Sequence, residues 1–355
     1  MAIQDYISKR RFEQDKQASY ALTDVLDQAP ASIKVIGVGS GGCNSVKRMM
    51  DHAVPGMTFA MVNTDNIVLE SGASDVDIIR MGANRARVWG AFGGFAVDSH
   101  DADEPSQQLR QSIANADLVF ITAGMGGGAG TSAAPYVAHL AKEQGATVVG
   151  IVTAPFGFEG RRRMGLAVAG IDRLRPYVDN LILIHNDRLL PFFDRDAHMA
   201  QAFRKADEVV AQGILDLSGL INVPQEINVE LADVRSIMNL RGRSLMAVGR
   251  GRGTAGPAEA ARQAVANPLL DRGFESAAGA LVMIKGGTAG MTLGGVNAAR
   301  QVVSNAVRKD ARIFIGVELI ESMGEEVSLT LIATGLQHDR PGGPDRPVIT
   351  QGRRP

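Results

Sequence analysis

The chain has 355 residues, of which 45% are hydrophobic and 21% charged, a balance typical of a folded protein with about two domains. Its 37 basic and 38 acidic residues give no overall attraction to nucleic acid or to an anionic membrane, so we expect neither as a partner. The single cysteine, Cys43, excludes an intramolecular disulfide framework and favours a reducing compartment. No apolar stretch approaches the roughly 20 residues of a membrane span, and we expect a cytoplasmic protein.

The first predicted element is a short apolar strand, Ile33 to Val38. We expect residues 1–31 before it to form a mobile extension or a short surface helix. The strand leads into a glycine-rich loop and a helix, and the spacing of Gly37, Gly39 and Gly42 is that of a dinucleotide-binding fingerprint. A second strand, residues 58–62, ends in Asn63, Thr64 and Asp65, where a dinucleotide fold places an acidic residue on a ribose. An NAD-dependent dehydrogenase is therefore one interpretation.

A second glycine loop, Thr122 to Pro135, argues for a different ligand. It follows an apolar run, Leu118 to Ile121, and precedes an alanine-rich helical segment. Strand, glycine loop and helix together present backbone N–H groups and a positive helix end to an anion. Two such loops at successive strand ends fit a triphosphate better than a pyrophosphate. A third glycine stretch, residues 90–94, could close on the terminal phosphate or be an ordinary surface loop.

Further strands at residues 147–153 and 180–184 continue the alternation of strands and helices. This pattern predicts a doubly wound α/β domain that binds ligands at the carboxyl ends of its parallel strands. Glu159 could bond a ribose hydroxyl, and one of Arg161, Arg162 and Arg163 could reach a phosphate. A solvated helix end explains these four residues equally well.

Residues 199–220 read as one long amphipathic helix. Phe203 and Asp207 are one turn apart, so an aromatic face and a carboxylate could together select guanine, whose N1 and N2 are both donors. In the loop that follows lie Asn228 and Glu230, and we expect Asp233 to be the N-cap of the next helix. Helix capping and solvent contact are the simpler roles for these polar side chains.

We expect α/β architecture with a doubly wound parallel-sheet domain over residues 32–198 and a long central helix over residues 199–220. A loop over residues 221–232 then leads to a second, smaller α+β domain over residues 233–336, and residues 337–355 form a short disordered tail. In the second domain we predict strands at 280–284, 312–317 and 328–334, and helices at 259–266 and 296–307. The second domain also contains a Gly/Arg-rich stretch, 241–256, to which we assign no helix or strand.

The ordered set of motifs resembles the FtsZ branch of the tubulin-like GTPases from Ile33 to Leu336. The matching motifs include GVGSGGCN at 37–44, NTD at 63–65, ITAGMGGGAGTSAAP at 121–135, PFGFEGRRRM at 155–164, HNDRLL at 185–190, AFRKADEVV at 202–210, NVELADVRSIM at 228–238 and SLTLIATGL at 328–336. Several long motifs in one order are far more specific than a single glycine pattern.

The resemblance implies a GTPase that polymerises head to tail into filaments, with itself as partner and a full-length FtsZ as a second candidate. Asn228, Glu230 and Asp233, in what would be the synergy loop, would complete the active site of the next subunit. Mg²⁺ would be held mainly by phosphates and water, without a dedicated protein site. The implied nucleotide-binding residues are Gly39, Ser40, Gly41, Gly42, Asn44, Asn63, Asp65, Gly124, Gly126, Gly127, Gly128, Ala129, Gly130, Thr131, Glu159, Arg163, Asn186, Phe203 and Asp207.

Several positions depart from the family pattern. Ala129 stands where Thr is usual, Ser132 where Gly is usual, and Glu230 where Asp is usual. Residues 90–97 lack the usual glycine loop followed by Asn-Pro, and the chain ends soon after Leu336, without the usual linker and terminal peptide. We therefore expect a truncated, divergent FtsZ-like paralogue that acts in cell division or in a specialised process such as one in magnetotactic bacteria. A non-hydrolysing regulator of a full-length FtsZ is the alternative.

Overall fold

A computed structural model describes residues 29–65, 75–81, 104–193, 196, 198–267 and 274–336 of the chain. The predicted features at residues 1–28, 90–97 and 337–355 lie outside these ranges.

The first part of the chain alternates strands with helices. Strand β1 is buried along its whole length and pairs in parallel with β2 on one side and β4 on the other. Parallel strands buried on both faces need helices on both faces, so the doubly wound sheet predicted from the sequence is confirmed. The elements are β1 (Ile33–Val38), α1 (Gly39–Met49), β2 (Met57–Asn63), β3 (Val76–Arg80), α2 (Glu104–Ile113), β4 (Leu118–Gly124), α3 (Gly128–Glu143), β5 (Thr147–Ala154), α4 (Arg161–Leu174) and β6 (Asn180–His185).

The central helix α5 (Met199–Asn222) has 24 residues, which makes it about 36 Å long. Its buried residues Val210, Ile214 and Leu217 belong to one apolar cluster with Ile151 of the first sheet region and Met283 of the second. Helix α5 therefore packs against both parts of the molecule, and it ends two residues later than predicted.

The remaining elements build the second part of the sheet. Strand β10 pairs antiparallel with β7 and β8, and β8 pairs in parallel with β9. One bridge, between Ile182 and Ser244, joins β6 to β7, so the strand order is β3-β2-β1-β4-β5-β6-β7-β10-β8-β9. The elements are α6 (Leu231–Met238), β7 (Arg243–Arg252), α7 (Gly256–Val265), β8 (Gly279–Gly286), α8 (Leu293–Ala306), β9 (Arg312–Leu319) and β10 (Glu326–Leu336).

Strand β7 lies in the Gly/Arg-rich stretch 241–256, where no element was predicted from the sequence. Its glycines allow a close approach of α7: a Cβ at Gly249 would lie 1.9 Å from the Ala260 carbonyl oxygen of that helix. A Cβ at Gly251 would lie 2.1 Å from the Gly256 carbonyl oxygen. Glycine in a strand can thus mark close packing rather than a break.

The start of helix α6 corrects a prediction. Its N-cap is Glu230, whereas Asp233 is the third helical residue and accepts a hydrogen bond at 3.4 Å from the Glu230 backbone N–H. The Asp233 side chain therefore accepts from the N-cap backbone, which is the second of the two hydrogen bonds of a capping box. Both carboxylates lie on the first turn of α6.

No helix within the described ranges has the length and apolar character to cross a membrane.

Candidate functional site

A cavity of about 590 Å³ opens at the carboxyl ends of the parallel strands. All of the predicted nucleotide-binding residues line it except Gly42 and Thr131. Gly42 packs on the strand behind the cavity, since a Cβ there would lie 2.2 Å from the Thr122 carbonyl oxygen. The Thr131 hydroxyl accepts a hydrogen bond at 2.8 Å from the Gly126 backbone N–H. These two residues therefore shape the loops from behind.

Two helix N-termini face this cavity. Helix α1 begins at Gly39 and α3 begins at Gly128, and neither has a side-chain cap or an acidic residue in its first turn. Their first N–H groups are thus left for an external acceptor, and both helix dipoles favour a negative charge there. The arrangement suits a ligand with several phosphate groups.

The two glycine loops touch each other through their backbones. Gly39 has a φ of +71°, and a Cβ on it would lie 2.6 Å from the Gly130 nitrogen. A Cβ on Gly130 would lie 2.7 Å from the Gly124 carbonyl oxygen. Only glycine fits both positions, so the sequence pattern of the two loops follows from their packing.

Phe203 and Asp207 both line the cavity, as the helical spacing predicted. Phe203 is 38% exposed and packs edge-on to Phe156, with ring centroids 5.3 Å apart. Burial raises the pKa of the Asp207 carboxyl to about 6, although Arg48 and Ser45 lower it in part. An aromatic face beside a carboxylate acceptor can hold a planar base with two adjacent N–H donors.

Arg48 and Ser45 were missed in the sequence. Arg48 Nε lies 3.5 Å from Asp207 Oδ2, and Ser45 Oγ lies 3.5 Å from Asp207 Oδ1. Ser45 and Arg48 lie about 1.7 and 2.5 turns after the start of α1, three positions apart and therefore on one helix face. That spacing indicates that Ser45 and Arg48 share a helix face. Only the packing of α1 against α5 shows that this face meets Asp207.

Glu159 and Asn186 also line the cavity. Glu159 is held in place because its Oε1 accepts from the Phe156 backbone N–H at 2.8 Å and its Oε2 pairs with Arg163 at 2.5 Å. The Asn186 Oδ1 atom is buried and has no hydrogen-bond partner among the described residues. A buried acceptor without a donor is costly, and a hydroxyl donor of a bound sugar would satisfy it. Thr153, Pro155 and Ala206 also line the cavity and were not predicted.

Asn63 and Asp65 follow strand β2 at the edge of the cavity. Asn63 Oδ1 accepts from the backbone N–H groups of Thr64 and Asp65, at 2.8 and 3.4 Å. Its amide nitrogen lies 3.5 Å from the Ser40 hydroxyl of the first glycine loop. The strand end and this loop are thereby joined. In the part of the chain that the structure describes, no group of three His, Cys, Asp or Glu side chains could hold a metal ion.

The three predicted catalytic residues do not line this cavity. Asn228, Glu230 and Asp233 follow the far end of α5, and from Asp207 to Asn222 this helix rises about 22 Å. Asn222 Oδ1 accepts from the Ala31 backbone N–H, just before β1 begins. The trio therefore lies towards the amino ends of the parallel strands, whereas the cavity lies at their carboxyl ends. Asn228 and Glu230 are exposed to solvent.

Two residues of the second glycine loop that depart from the family pattern, Ser132 and Ala129, are accommodated differently in the structure. The Ser132 hydroxyl is buried and donates to the Gly128 carbonyl oxygen at 2.7 Å, so its extra atoms are absorbed within α3. Ala129 lines the cavity, where it presents a methyl group in place of a hydroxyl.

A parallel sheet with two uncapped helix ends at glycine-rich loops, a buried amide oxygen without a donor and an aromatic–carboxylate pair defines a nucleotide-binding α/β protein. Residues 32–194 match the model of the tubulin/FtsZ family GTPase domain, and residues 242–337 match that of the FtsZ family C-terminal domain. The chain belongs to the FtsZ branch of the tubulin/FtsZ family of cytoskeletal, GTP-binding GTPases.

Solved structures agree with this assignment. An empty FtsZ dimer from M. jannaschii is 32% identical, with a TM-score of 0.80 and coverage of 90% of this chain and 92% of that one. A single-substitution mutant of FtsZ from M. jannaschii is 33% identical, with a TM-score of 0.79 and coverage of 90% and 96%. CetZ1 from Haloferax volcanii, a GDP-bound monomer, shares the fold at 18% identity, with a TM-score of 0.71 and coverage of 86% and 94%.

Proposed function

We propose that this chain binds GTP in the cavity, assembles head to tail with copies of itself, and hydrolyses GTP in a site that each copy completes for the next. One observation carries the proposal. The cavity and the Asn228–Asp233 segment lie at opposite edges of the same parallel sheet, so no single copy can bring its own carboxylates to its own cavity.

In the proposed complex, the N–H groups at the starts of α1 and α3 bind the phosphates, and Asn63 and Asp65 lie near the terminal one. Glu159 and Asn186 hold the ribose, and Arg163 contacts the nucleotide. The unpartnered Asn186 Oδ1 supports this fit. Phe203 stacks on guanine while Asp207 accepts from its edge. Mg²⁺ bound with the phosphates would neutralise part of their charge and would be held mainly by phosphate oxygens and water.

Catalysis then depends on the contact between copies. One copy stacks the surface at the amino ends of its parallel strands on the cavity of another copy. This contact brings Glu230 and Asp233 to the terminal phosphate. There the two carboxylates orient and polarise the attacking water, while Asn228 helps to keep them in position. Because the two surfaces differ, the contact is heterologous and repeats without closing, which produces a filament. The related M. jannaschii FtsZ, described as a dimer, supports self-association.

Sedimentation and electron microscopy with GTP and with GDP, combined with phosphate release, test the proposal. We expect pelleted filaments and phosphate release with GTP only. GTP binding without pelleting or turnover would instead favour the non-hydrolysing regulator, and pelleting only after a full-length FtsZ is added would favour co-assembly. Binding of NAD without binding of GTP would restore the dehydrogenase interpretation.

A further inference from the structure

A second cavity, of about 810 Å³, lies beside the central helix. It runs between one face of α5 and the β7 and β10 strands, and we call it the α5 groove. Its apolar lining includes Leu189, Val209, Leu215 and Val248. A groove of this size and lining can take the apolar face of a short helix.

The groove also carries an excess of positive charge. Arg48, Lys205 and Arg250 line it, with His52 at the end nearest the α1–β2 turn. Glu208 is the one acidic residue among the described lining residues, and it pairs with Lys205 at 3.3 Å. An apolar floor with basic edges selects an amphipathic segment that is acidic on its polar side.

The chain itself contains such a segment. Residues 20–28, YALTDVLDQ, place Leu22, Val25 and Leu26 at the spacing of one helical face. The segment carries two acidic residues, Asp24 and Asp27, and no basic one. As a helix it would be about 13 Å long.

The start of the described chain lies close to the groove. The Ala31 backbone bonds to Asn222, and the Asn222 side chain also donates to the Pro55 carbonyl oxygen at 2.7 Å. His52, in the groove lining, precedes Pro55 by three residues. Three extended residues cover about 10 Å, so the short stretch from residue 30 back to residue 27 can reach the groove.

We propose that residues 20–28 dock in the α5 groove of their own chain, with Leu22, Val25 and Leu26 on its apolar floor and Asp24 and Asp27 against Lys205 and Arg250. The docked segment would cover Arg48 of α1, which lines the groove and pairs with Asp207, and so would connect the N-terminal residues to the nucleotide site. This inference does not depend on GTP hydrolysis.

Hydrogen–deuterium exchange of the full chain without nucleotide tests the docking. In the wild-type protein the amides of residues 20–28 should exchange at least about tenfold more slowly than in an unstructured peptide of that sequence. The Lys205→Glu/Arg250→Glu variant should lose this protection. The control, Arg204→Glu/Arg262→Glu, makes the same charge change at exposed residues next in sequence to groove residues but outside its lining, and should keep it. Adding Asp24→Lys/Asp27→Lys to the first variant should restore the protection.

Unprotected amides at residues 20–28 in the wild type would overturn the proposal, as would equal protection in both double variants. Protection that rises with protein concentration would assign the groove to the segment of a second copy and overturn docking within one chain. Protection of residues 205–215 by an added small anion, with residues 20–28 unprotected, would assign the groove to a small ligand instead.

Discussion

Arg48 and Asp207 face each other between the two cavities of the molecule, with Arg48 Nε 3.5 Å from Asp207 Oδ2. Asp207 lines the nucleotide cavity and Arg48 lines the α5 groove. Burial raises the pKa of Asp207 to about 6, although the nearby charge of Arg48 lowers it in part. A carboxylate proposed to recognise guanine therefore changes its charge not far below neutral pH.

The raised pKa of Asp207 predicts that GTP affinity falls as the pH decreases from about 7.5 to 5, by up to tenfold per pH unit below the pKa. A protonated carboxyl cannot accept both N–H groups of guanine. Titration with a fluorescent GTP analogue at each pH measures the effect. Asp207→Asn should bind weakly at all pH values and lose this component of the pH dependence, whereas Glu208→Gln should keep it.

Stability of the nucleotide-free protein should change in the opposite direction. The folded pKa of Asp207, about 6, lies above its ordinary value of 3.8, so the folded state binds more protons between these values. This carboxyl therefore adds stability as the pH falls through that window. Denaturant unfolding of wild type and Asp207→Asn isolates the contribution, and an identical pH trend in both would contradict it.

Asp233→Asn should abolish phosphate release and leave GTP affinity within about twofold, because the carboxylate acts on the cavity of the neighbouring copy. Asparagine is the sharper change than alanine, since its side chain can still accept from the Glu230 backbone N–H and maintain the start of α6. Glu226→Gln, at an exposed position in the loop before α6, is the matched control. A loss of GTP binding would place Asp233 in the pocket of its own subunit and contradict its proposed role in the neighbouring copy.

Glu230→Asp should increase turnover, by up to about 100-fold, because removing one methylene shifts the carboxylate by about 1 Å. The same change should stabilise α6 by up to about 1 kcal/mol, since Asp is a better N-cap than Glu. Steady-state phosphate release and thermal unfolding separate the two effects. Glu230→Gln, similar in size but neutral, should lower turnover; an unchanged rate in both variants would remove Glu230 from the mechanism.

The sequence predicted the parallel sheet and most of the cavity because these depend on local patterns. An apolar run such as Ile33 to Val38 predicts a buried strand, and the glycines that follow it predict a helix N-terminus without a side-chain cap. The sequence failed where a residue's role depends on a distant partner. Strand β7 was not predicted, because its glycines reflect the packing of α7, and the spacing of Ser45 and Arg48 shows no partner until α5 brings Asp207 beside them. Likewise, Asp233 resembled an N-cap because the sequence does not show which residue of α6 is first helical.

Two glycines of the phosphate loops should respond differently to alanine. Gly39→Ala should destabilise the protein by about 1–3 kcal/mol and abolish GTP binding, because of its positive φ and the 2.6 Å approach to the Gly130 nitrogen. Gly128→Ala should leave stability unchanged or higher, since a Cβ there meets no atom within 4 Å. Thermal unfolding and GTP titration provide the two readouts. Equal destabilisation in both variants would refute the packing argument.

A buried ion network fastens α5 to the second part of the sheet. Asp216 Oδ1 lies 2.9 Å from Lys285 Nζ, and Lys285 Nζ lies 3.2 Å from Glu318 Oε2. Asp216 Oδ2 accepts from the Thr330 hydroxyl and the Gln212 amide. Burial lowers the pKa of Lys285, but the two carboxylates outweigh it and hold the pKa above its ordinary value.

Asp216→Ala should therefore destabilise the protein by about 3–5 kcal/mol, because it leaves Lys285 buried with a single carboxylate and removes the acceptor of Thr330. Arg308→Ala, which breaks an exposed pair with Asp310, should change stability very little. Denaturant unfolding of the nucleotide-free protein measures both. If Asp216→Ala were as mild as the surface variant, water must reach the network, and α5 would be less firmly attached to strands β8 to β10 than these contacts indicate.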